Sequence, residues 1–346
     1  MSEKNGRFKI DVVITWVDGD DPEWQKEKSK YQKPDDSDTR NRRFRDMGLL
    51  KYWFRGIEKN APWVNKIFFV TCGHIPSWLN VENPKLQIVR HSDFIPPEYL
   101  PTFSSRPIEL NLHRIKELSE HFVYFNDDMY MIGPTKEKDF FRHGLPVSKM
   151  VLKAFTFSLP AKKSQQDPLT SIYLTLPICM AAINRNFNKN KAIRSNWTKW
   201  FSPRNGKAVF RTLMLLHERK FTGFVDDHLP YSYLKSTFEE VWENEEVVLR
   251  RACSHRFREP VDVSSRLMTF WQIAKGSAEP DRHKQWKKYI VRNDEIDEML
   301  DAVRQKKYSI VCLNDGYVGK NYEEIQQKTA AAFETILPEK SSYEKD

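Results

Sequence analysis

Short apolar runs alternate with amphipathic segments through the first 130 residues of the chain. The runs are rich in β-branched and aromatic side chains, a composition typical of strands buried on both faces. They span residues 9–17, 66–72, 86–90 and 121–126. Between them, residues 46–60 and 107–120 repeat apolar side chains at helical spacing, which predicts two helices. The alternation predicts an α/β fold with a doubly wound, mainly parallel, Rossmann-like sheet.

The pattern changes at about residue 160. Residues 208–218, 261–275 and 294–306 are predicted helices, and strand character returns at 308–313. We therefore expect a large, mainly helical insertion in the sheet domain. The expected divisions are a core at 8–158, the insertion at 159–306, a return to the core sheet at 307–336 and a tail at 337–346. The polar segment 25–41 is predicted to be a loop, and the charged tail is predicted to fray.

Composition narrows the class of protein without choosing a function. The chain has 346 residues, 40% of them hydrophobic, which is typical of a folded globular protein. Its net charge of +9 suits nucleic acid, phosphate-bearing substrates or an anionic membrane, with Lys and Arg spread along the chain. No nucleic-acid-binding signature such as paired Cys and His at zinc spacing is present, so we expect no nucleic-acid partner.

The spacing of the cysteines and the hydropathy of the chain indicate in which cellular compartment the protein is expected. The four cysteines are far apart and form no CxxC motif, which favours a reduced, cytoplasmic setting over a disulfide framework. The polar N-terminus does not resemble a secretory signal, and no apolar run reaches the roughly 18 residues of a membrane span. Any membrane association is therefore expected to be peripheral, at the inner face of the cell membrane.

Acidic side chains follow three of the predicted strands. Asp18 follows the first, Asp127 and Asp128 follow the strand at 121–126, and Asp315 follows the strand at 308–313. Ligands of doubly wound sheets collect at the carboxyl ends of strands. Carboxylates with phosphate oxygens are a common environment for Mg²⁺ or Mn²⁺. The acids predict a site for a divalent cation and a nucleotide diphosphate, the alternative being that each forms an ordinary turn.

Three further side chains are candidates for chemistry. His228 follows two acids, which would orient its ring and raise its basicity as a general base, although a lone histidine is more often structural. Arg258 is either a phosphate ligand or a surface ion pair, and Glu109 either an active-site acid or a surface helix residue. Glycine-rich phosphate loops are absent from the sequence, so phosphates would have to be held by metal, Arg and Lys.

Four sets of motifs resemble the Stealth family, which comprises bacterial capsular polysaccharide phosphotransferases and the catalytic subunit of the lysosomal-enzyme N-acetylglucosamine-1-phosphotransferase. The first is IDVVITWVDG at 10–19. The second joins RFRD at 43–46, APWV at 61–64, IPSWLN at 75–80, LPTFSS at 100–105 and YFNDD at 124–128. The third runs from HLP at 228–230 to Arg258, and the fourth is CLND at 312–315.

The resemblance implies a glycosyltransferase-A-like sheet that binds a nucleotide sugar, and an insertion that faces the acceptor. It implies transfer of a sugar-1-phosphate from a UDP-sugar to a hydroxyl of a glycan acceptor, including a lipid-linked one, with release of UMP. The implied site residues fall into three groups. They are catalytic His228, Arg258 and Glu109; donor-binding Trp16, Asp18, Gly19, Arg43, Asp46 and Asn314; and Asp127, Asp128 and Asp315 as ligands of Mg²⁺ or Mn²⁺.

Two other functions fit the same residues. An ordinary glycosyltransferase would attack the anomeric carbon and release UDP rather than UMP. A non-catalytic module would bind polyanionic glycans through the net charge of +9, and loss of His228 or Asp128 would then leave function intact.

Overall fold

The computed structural model describes residues 8–32, 44–154, 169–291, 295–316 and 321–345. Its strands are β1 Ile10–Thr15, β2 Ile67–Thr71, β3 Leu86–Arg90, β4 His121–Phe125, β5 Met129–Met131, β6 Phe141–Arg142, β7 Leu145–Ser148, β8 Tyr231–Leu234, β9 Glu279–Pro280, β10 Trp286–Val291 and β11 Ile310–Asp315. Its helices are α1 Pro22–Tyr31, α2 Leu50–Asn60, α3 Ser105–Leu110, α4 Glu137–Phe140, α5 Leu169–Asn186, α6 Lys189–Ser195, α7 Trp197–Trp200, α8 Val209–Met214, α9 Lys235–Ser254, α10 Arg266–Lys275, α11 Ile296–Arg304 and α12 Tyr322–Ile336.

The largest sheet has five strands in the order β3-β2-β1-β4-β8. β1 pairs in parallel with β2 and β4, and β2 pairs in parallel with β3. Only β8 runs antiparallel to its neighbour, β4. The first four strands follow the 3-2-1-4 order of a doubly wound sheet. The predicted α/β fold with a mainly parallel sheet and helical segments is therefore confirmed.

Apolar side chains on both faces explain why the central strands form. Ile10 to Ile14 of β1 and all of β2 are buried. Helix α2 covers one face, where its Trp53 packs edge-on against Phe125 of β4 and its Phe54 packs against Phe69 of β2. A parallel sheet covered in this way leaves only the strand ends and the loops after them open to a ligand.

A second sheet brings the end of the chain to the end of β4. Its order is β10-β11-β5, with β11 parallel to β10 and antiparallel to β5. Asp127 and Asp128 lie in the turn between β4 and β5, and the backbone N–H of Leu313 donates to the carbonyl of Asp128 at 2.7 Å. Two strands distant in sequence are thus fixed beside the same acidic turn.

The interval 159–306 is richer in strands than expected. It contributes β8 to the five-stranded sheet, β9 to a sheet with β6 and β7, and β10 to the sheet of β11. The part of the interval that the structure describes also carries helices α5 to α11. The proposed divisions at 158 and 306 stay a prediction.

Two expectations about local structure are wrong. Segment 25–41 was expected to be a loop, but its residues 25–31 belong to α1, Pro22–Tyr31, because Asp21 caps this helix by accepting from the N–H of Trp24 and a proline occupies its first turn. Residues 33–41 of the predicted loop lie outside the described residues. The predicted helix 107–120 ends early, since α3 stops at Leu110 and only a short 3₁₀ turn, Leu112–Arg114, follows.

The tail was expected to fray and instead packs against the core. Tyr343 is 4% exposed, and Arg55 of α2 donates from Nε to Glu344 at 2.9 Å. The backbone N–H of Asn80 donates to the carbonyl of Tyr343 at 2.8 Å. A terminus with these contacts is held in place despite its charged composition.

Candidate active site

Asp128 is the point at which the separate elements meet. Its Oδ2 atom accepts from the Cys312 thiol at 3.4 Å and from the Asn314 amide at 3.3 Å. Cys312 and Asn314 are two residues apart on β11 and so project from the same face of that strand. Nε2 of His228 lies 3.7 Å from the same oxygen, within the range of an ion pair but too far for a hydrogen bond.

The surroundings of Asp128 favour its carboxylate form. Burial opposes ionisation, but His228 first, and then the Asn314 amide and the Cys312 thiol, outweigh burial and lower the pKa of Asp128. Its other oxygen, Oδ1, is buried and has no hydrogen-bond partner among the described residues. An ionised carboxylate with one unsatisfied oxygen is a ligand-binding group, because leaving such an atom unpaired costs free energy.

His228 is held in an uncommon backbone conformation, with φ at 50°. Left-handed backbone is unfavourable for most residues and clusters at functional sites. The N–H of His228 donates to Oδ1 of Asp226 at 3.4 Å, which helps to fix the loop before β8. Nδ1 of the ring is buried and lacks a partner among the described residues, so Nε2 is the nitrogen left to exchange a proton in the site.

A chain of buried polar groups supports the His228 loop. Asp226 forms an ion pair with Arg266, and the Tyr231 hydroxyl donates to Asp226 at 3.2 Å. Burial opposes the charge on Asp226, but Arg266 and His228 lower its pKa. The next link is Glu109, whose Oε2 accepts from the Ser265 hydroxyl at 2.7 Å and from the Ser265 N–H at 3.3 Å.

Glu109 is therefore not a surface helix residue, since only 8% of it is exposed. It contacts Ser265, the residue before Arg266, and so reaches His228 through Arg266 and Asp226. These contacts link Glu109 to the loop that carries the histidine.

Arg258 lies beside the start of α3, next to another arginine. Its guanidinium donates to the Ser105 hydroxyl at 2.8 Å, while its Nε is buried without a partner among the described residues. The nearby Arg106 is 3% exposed, and burial first and the charge of Arg258 second lower the pKa of Arg106 to about 10. Two neighbouring guanidinium groups that repel each other in this way form a favourable environment for an anion.

The predicted donor-binding residues Trp16 and Asp46 are brought together. The Trp16 indole N–H donates to Oδ2 of Asp46 at 3.1 Å. A side chain at Gly19 would clash with the backbone of Phe44, because an added Cβ would lie 2.0 Å from the Phe44 carbonyl oxygen. The N–H of Asp18 donates to Nδ1 of His74 at 3.0 Å. Arg43, the remaining residue predicted on this side, lies outside the described residues.

Asp315 lies on the other face of β11 from Cys312 and Asn314, the two residues that contact Asp128. It follows Asn314 on β11, and alternation along the strand turns its side chain to the opposite face. There its Oδ2 accepts from Nε of Arg45 at 2.9 Å. The side chains of Asn314 and Asp315 thus point to opposite faces of β11. It is Asn314, and not the acid predicted to share a cation with Asp128, that contacts Asp128.

The acids of this region repel one another. Burial, followed by the charges of Asp18 and Asp20, raises the pKa of Asp46. The Asp127 side chain is open to solvent, yet the surrounding protein and the charges of Asp128 and Asp46 raise its pKa. Mutual repulsion of this kind makes a further negative charge unfavourable unless a cation offsets it.

The donor atoms around Asp128 bear on which cation could be held. Among the described residues, Asp128, His228 and Cys312 offer one ligand atom each, all within 4.8 Å of one another. Mg²⁺ prefers oxygen and is commonly bound by one or two carboxylates together with substrate phosphates and water. The unsatisfied Oδ1 of Asp128 fits that mode of binding, whereas the buried thiol of Cys312 does not contribute to it.

A pocket of about 400 Å³ opens next to the histidine loop. Its walls include Asp227, the residue before His228, which forms an ion pair with Lys149. The residues that line it are Lys149, Val151, Asn205, Lys207, Ala208, Arg211, Val225, Asp227, Asp281 and Arg282. Because four of these side chains are cationic and two are carboxylates, the net charge of the pocket lining is positive.

Several residues of the site were not singled out from the sequence. Arg45 and Cys312 stand inside the quoted RFRD and CLND motifs, where their type alone gave no reason to choose them. Arg266 and Ser265 carried no sequence signal, because their role depends on contacts with Asp226 and Glu109 that only the fold creates.

Comparisons with known proteins agree with the motifs. The family models described as Stealth protein CR1, conserved region 1, and Stealth protein CR2, conserved region 2, match residues 8–33 and 43–147. A capsular polysaccharide phosphotransferase WcwK of Streptococcus pneumoniae is 39% identical and aligns over 97% of this chain and 98% of its own length. A receptor polysaccharide phosphotransferase WefC of Streptococcus oralis is 38% identical over 97% and 99%. The exopolysaccharide phosphotransferase cps2G of Lactiplantibacillus plantarum is 34% identical over 99% and 98%.

Similar solved structures are more distant. The glycosyltransferase GlyE of Streptococcus pneumoniae TIGR4 has a TM-score of 0.36 and 11% identity, covering 96% of this chain and 62% of that one. The galactosyltransferase LgtC, in complex with donor and acceptor sugar analogs, has a TM-score of 0.35 and 8% identity, covering 93% and 95%. Overlaps at this level carry no argument about activity.

Proposed function

Since this chain belongs to the Stealth family, we propose that it transfers a sugar-1-phosphate from a UDP-sugar to a hydroxyl of a glycan acceptor. The transfer forms a phosphodiester and releases UMP, as a step in the synthesis of a capsular or other cell-surface polysaccharide. The observation that carries the proposal is the approach of Nε2 of His228 to within 3.7 Å of Oδ2 of Asp128, beside the paired strands β4 and β8.

His228 is the general base of the proposed reaction. The acceptor oxygen bonds to the sugar-linked phosphorus, and the bond from that phosphorus to the oxygen bridging the two phosphates breaks. The hydroxyl proton passes to Nε2 of His228, and the electron pair of the broken bond leaves on UMP. Asp128 stabilises the imidazolium that forms, because its charge lies 3.7 Å from the protonated nitrogen. A positioned base of this kind contributes about 10²- to 10⁴-fold to rate.

Arg258 binds the phosphoryl oxygens, whose negative charge grows as the new bond forms. Its Nε is buried without a partner among the described residues, and a phosphate oxygen would satisfy it. Glu109 acts at a distance, because its hydrogen bonds to Ser265 hold the Arg266–Asp226 pair behind the histidine loop.

A divalent cation, Mg²⁺ or Mn²⁺, would be held by Asp128 with Asp127 and Asp315 as the other proposed ligands. When bound, it would neutralise the diphosphate among these carboxylates. The unpartnered Oδ1 of Asp128 and the mutual repulsion of the neighbouring acids support this assignment. Asp315 would have to exchange its contact with Arg45 to take part.

The donor lies on the side of Trp16, Asp18 and Gly19, where the close approach of Phe44 shapes the backbone. Asp46 accepts a hydrogen bond from the Trp16 ring, and Asn314, the other proposed donor-binding residue, donates to Asp128. Arg43 remains a proposed donor-binding residue.

The acceptor lies on the side of the cationic pocket. Lys207, Arg211 and Arg282 form no ion pair with any residue in the described parts of the chain, so their charges are available to an acceptor. A glycan chain, including one linked to a lipid phosphate, has the hydroxyls and negative charge that suit such a pocket. We place the protein in the cytoplasm, in peripheral contact with the inner face of the cell membrane. Among the described residues, no helix has the length and apolar character to cross a bilayer.

The released nucleotide tests the proposal. The protein is incubated with a panel of UDP-sugars, a short glycan acceptor and Mg²⁺, and the nucleotides are separated chromatographically. UMP in step with acceptor consumption supports sugar-phosphate transfer. UDP instead would show attack at the anomeric carbon and an ordinary glycosyltransferase. Binding of polyanionic glycans without either nucleotide would indicate a non-catalytic module.

A further inference from the structure

The net positive charge of the protein is concentrated in one stretch of chain. Residues 189–220 contain nine Lys or Arg and one acid, Glu218, which gives this stretch a net charge of +8 out of +9 for the whole chain. The other residues are therefore close to neutral, although Lys and Arg occur throughout. A local excess of this kind marks a surface for an anionic partner.

Most of these cations face solvent without a protein partner. Seven are exposed, and none of the seven forms an ion pair with a residue that the structure describes. They are Lys191, Arg194, Arg204, Lys207, Arg211, Arg219 and Lys220. Lys189, in contrast, is buried. Its ammonium group donates a hydrogen bond to the Leu216 carbonyl at 3.0 Å, which anchors the segment to the protein.

The same stretch also exposes large apolar side chains. Of the ten exposed large hydrophobic residues in the described parts of the chain, five lie between residues 197 and 216. They are Trp197 at 63%, Phe210 at 67%, Leu213 at 44%, Met214 at 67% and Leu216 at 40% exposure. A concentration of apolar side chains in a small part of the surface marks an interaction site more often than chance exposure does.

Helix α8 is oriented with its apolar side outward. Phe210, Leu213 and Met214 are spaced three and four residues apart and share one face. The opposite side is anchored by Thr212, which is fully buried and whose hydroxyl accepts from the N–H of Leu152 at 3.1 Å. The exposure of the apolar face therefore follows from how the helix is attached.

We propose that this face, together with the surrounding cations, docks on an anionic lipid bilayer. Apolar side chains rimmed by Lys and Arg are the composition of segments that lie in a membrane interface, with the apolar groups among the acyl chains and the cations at the headgroups. The charge of +8 is complementary to anionic lipid and would be costly against another copy of the same surface.

The position of α8 connects docking to the active site. Lys207, Ala208 and Arg211, immediately before and within α8, line the same pocket as Asp227, the residue before His228. A protein docked through α8 would hold this pocket next to the membrane surface, where a lipid-linked acceptor resides. The inference deepens the proposed peripheral contact and rests on it, but it does not depend on which nucleotide the reaction releases.

Vesicle co-sedimentation of the full chain tests the docking surface. The vesicles contain phosphatidylglycerol and phosphatidylcholine in equal parts, or phosphatidylcholine alone. We expect the protein to bind the anionic vesicles far better than the neutral ones, and binding to weaken as salt is raised. The apolar variant Phe210→Ser/Leu213→Ser/Met214→Ser should lose most of this binding.

Charge variants distinguish binding through this surface from binding due to the overall positive charge of the protein. Arg204→Gln/Arg219→Gln/Lys220→Gln should weaken binding by on the order of fivefold for each charge removed. The matched control Lys116→Gln/Lys138→Gln/Lys340→Gln removes three exposed charges from other parts of the surface and should bind as the wild type does. Urea unfolding midpoints check that each variant is folded, with Phe210→Ser alone replacing the triple apolar variant if that one is not.

Three results would overturn the docking surface. They are absence of binding of the wild type to anionic vesicles, equal losses in the charge variant and its control, and a wild-type dimer in sedimentation velocity that the apolar variant dissociates. UMP release on a short soluble acceptor, measured without vesicles, is expected to be unchanged in the apolar and charge variants. A protein that binds vesicles but releases no UMP would contradict the proposed function and leave the docking surface standing.

Discussion

Nε2 of His228 lies 3.7 Å from Oδ2 of Asp128, although one residue precedes the antiparallel strand β8 and the other follows the central parallel strand β4. The pairing of β4 with β8 brings them together, because residues 121–124 lie opposite residues 231–234. A histidine that precedes β8 is thus held against an acid that follows β4 of the same sheet. The proposed chemistry depends on this contact.

Replacing His228 by Asn should abolish turnover and preserve donor binding. Asn tolerates the positive φ of 50° at this position, so backbone strain is not introduced together with the loss of the base. We expect a fall in turnover of about 10²- to 10⁴-fold. UMP release measures turnover, and calorimetric titration with the UDP-sugar measures donor affinity. Normal turnover in this variant, or in His228→Ala, would remove His228 as the base.

Removal of the cation should abolish activity of the wild type, and Asp128→Asn should lose the metal-dependent part of donor affinity. The amide keeps the shape of the side chain but removes the charge that offsets a divalent cation. Donor affinity is compared with Mg²⁺ and with a chelator in wild type, Asp128→Asn and Asp315→Asn. If the chelator leaves wild-type affinity and turnover unchanged, the metal assignment is wrong.

The Asp315→Asn variant distinguishes two roles for that residue. If Asp315 becomes a ligand when the donor binds, the variant should lose metal-dependent affinity as Asp128→Asn does. If Asp315 only holds Arg45, Arg45→Gln should reproduce its effect, because the ion pair between the two side chains is lost in both variants.

Replacing Glu109 by Gln should lower turnover without weakening donor binding. The carboxylate accepts two hydrogen bonds from Ser265, and a neutral amide holds them less firmly. Supporting residues of this kind typically contribute about 10- to 100-fold to activity. The separate measurement of kcat, donor KM and the pH profile of kcat identifies the effect, with Ser265→Ala as the matched change on the other partner. A change confined to donor KM would contradict a positioning role.

The C-terminal tail should stabilise the fold in a pH-dependent way. Glu344 is buried, which opposes its charge, but its hydrogen bonds with Arg55 outweigh burial and lower its pKa. A lowered pKa in the folded state means stability that is present above the unfolded value of about 4.3 and is lost as pH falls through the folded value. Glu344→Gln should therefore cost about 1–3 kcal/mol at neutral pH and flatten the loss of stability below pH of about 4.

Urea unfolding at several pH values measures this contribution. The exposed pair Glu324–Lys328 on α12 provides the control, since Glu324→Gln breaks an ion pair of the same type at the surface and should change little. Equal effects of the two substitutions would show that the tail contact does not stabilise the protein.

The sequence predicted the part of the fold that local patterns determine. β1 to β4 lie within the predicted apolar runs. β1, β2 and β4 are buried along nearly their whole length, and the edge strand β3 is partly buried, so all four have a largely apolar composition. Helix α9, with 20 residues, was missed because its charged residues obscure the buried stripe of Phe238, Val241, Leu249 and Ala252.

The site was predictable in its residues and less so in its geometry. His228 lies next to Asp128, and the Trp16 indole donates a hydrogen bond to Asp46. Which face of β11 points toward the loop between β4 and β5, however, depends on the strand register. That register places Cys312 and Asn314 at Asp128 and directs Asp315 to Arg45. The buried links through Ser265 and Arg266 require tertiary contacts, which a single sequence does not encode as a local pattern.

The fate of the sugar-linked phosphate of the donor tests the central claim most directly. A UDP-sugar labelled with ³²P in the sugar-linked phosphate is incubated with the protein, Mg²⁺ and a short glycan acceptor, and the products are separated. Sugar-phosphate transfer predicts that the label moves to the acceptor while the released UMP is unlabelled, and that His228→Asn moves none. Label retained in released UDP, with an unlabelled sugar on the acceptor, would contradict the account.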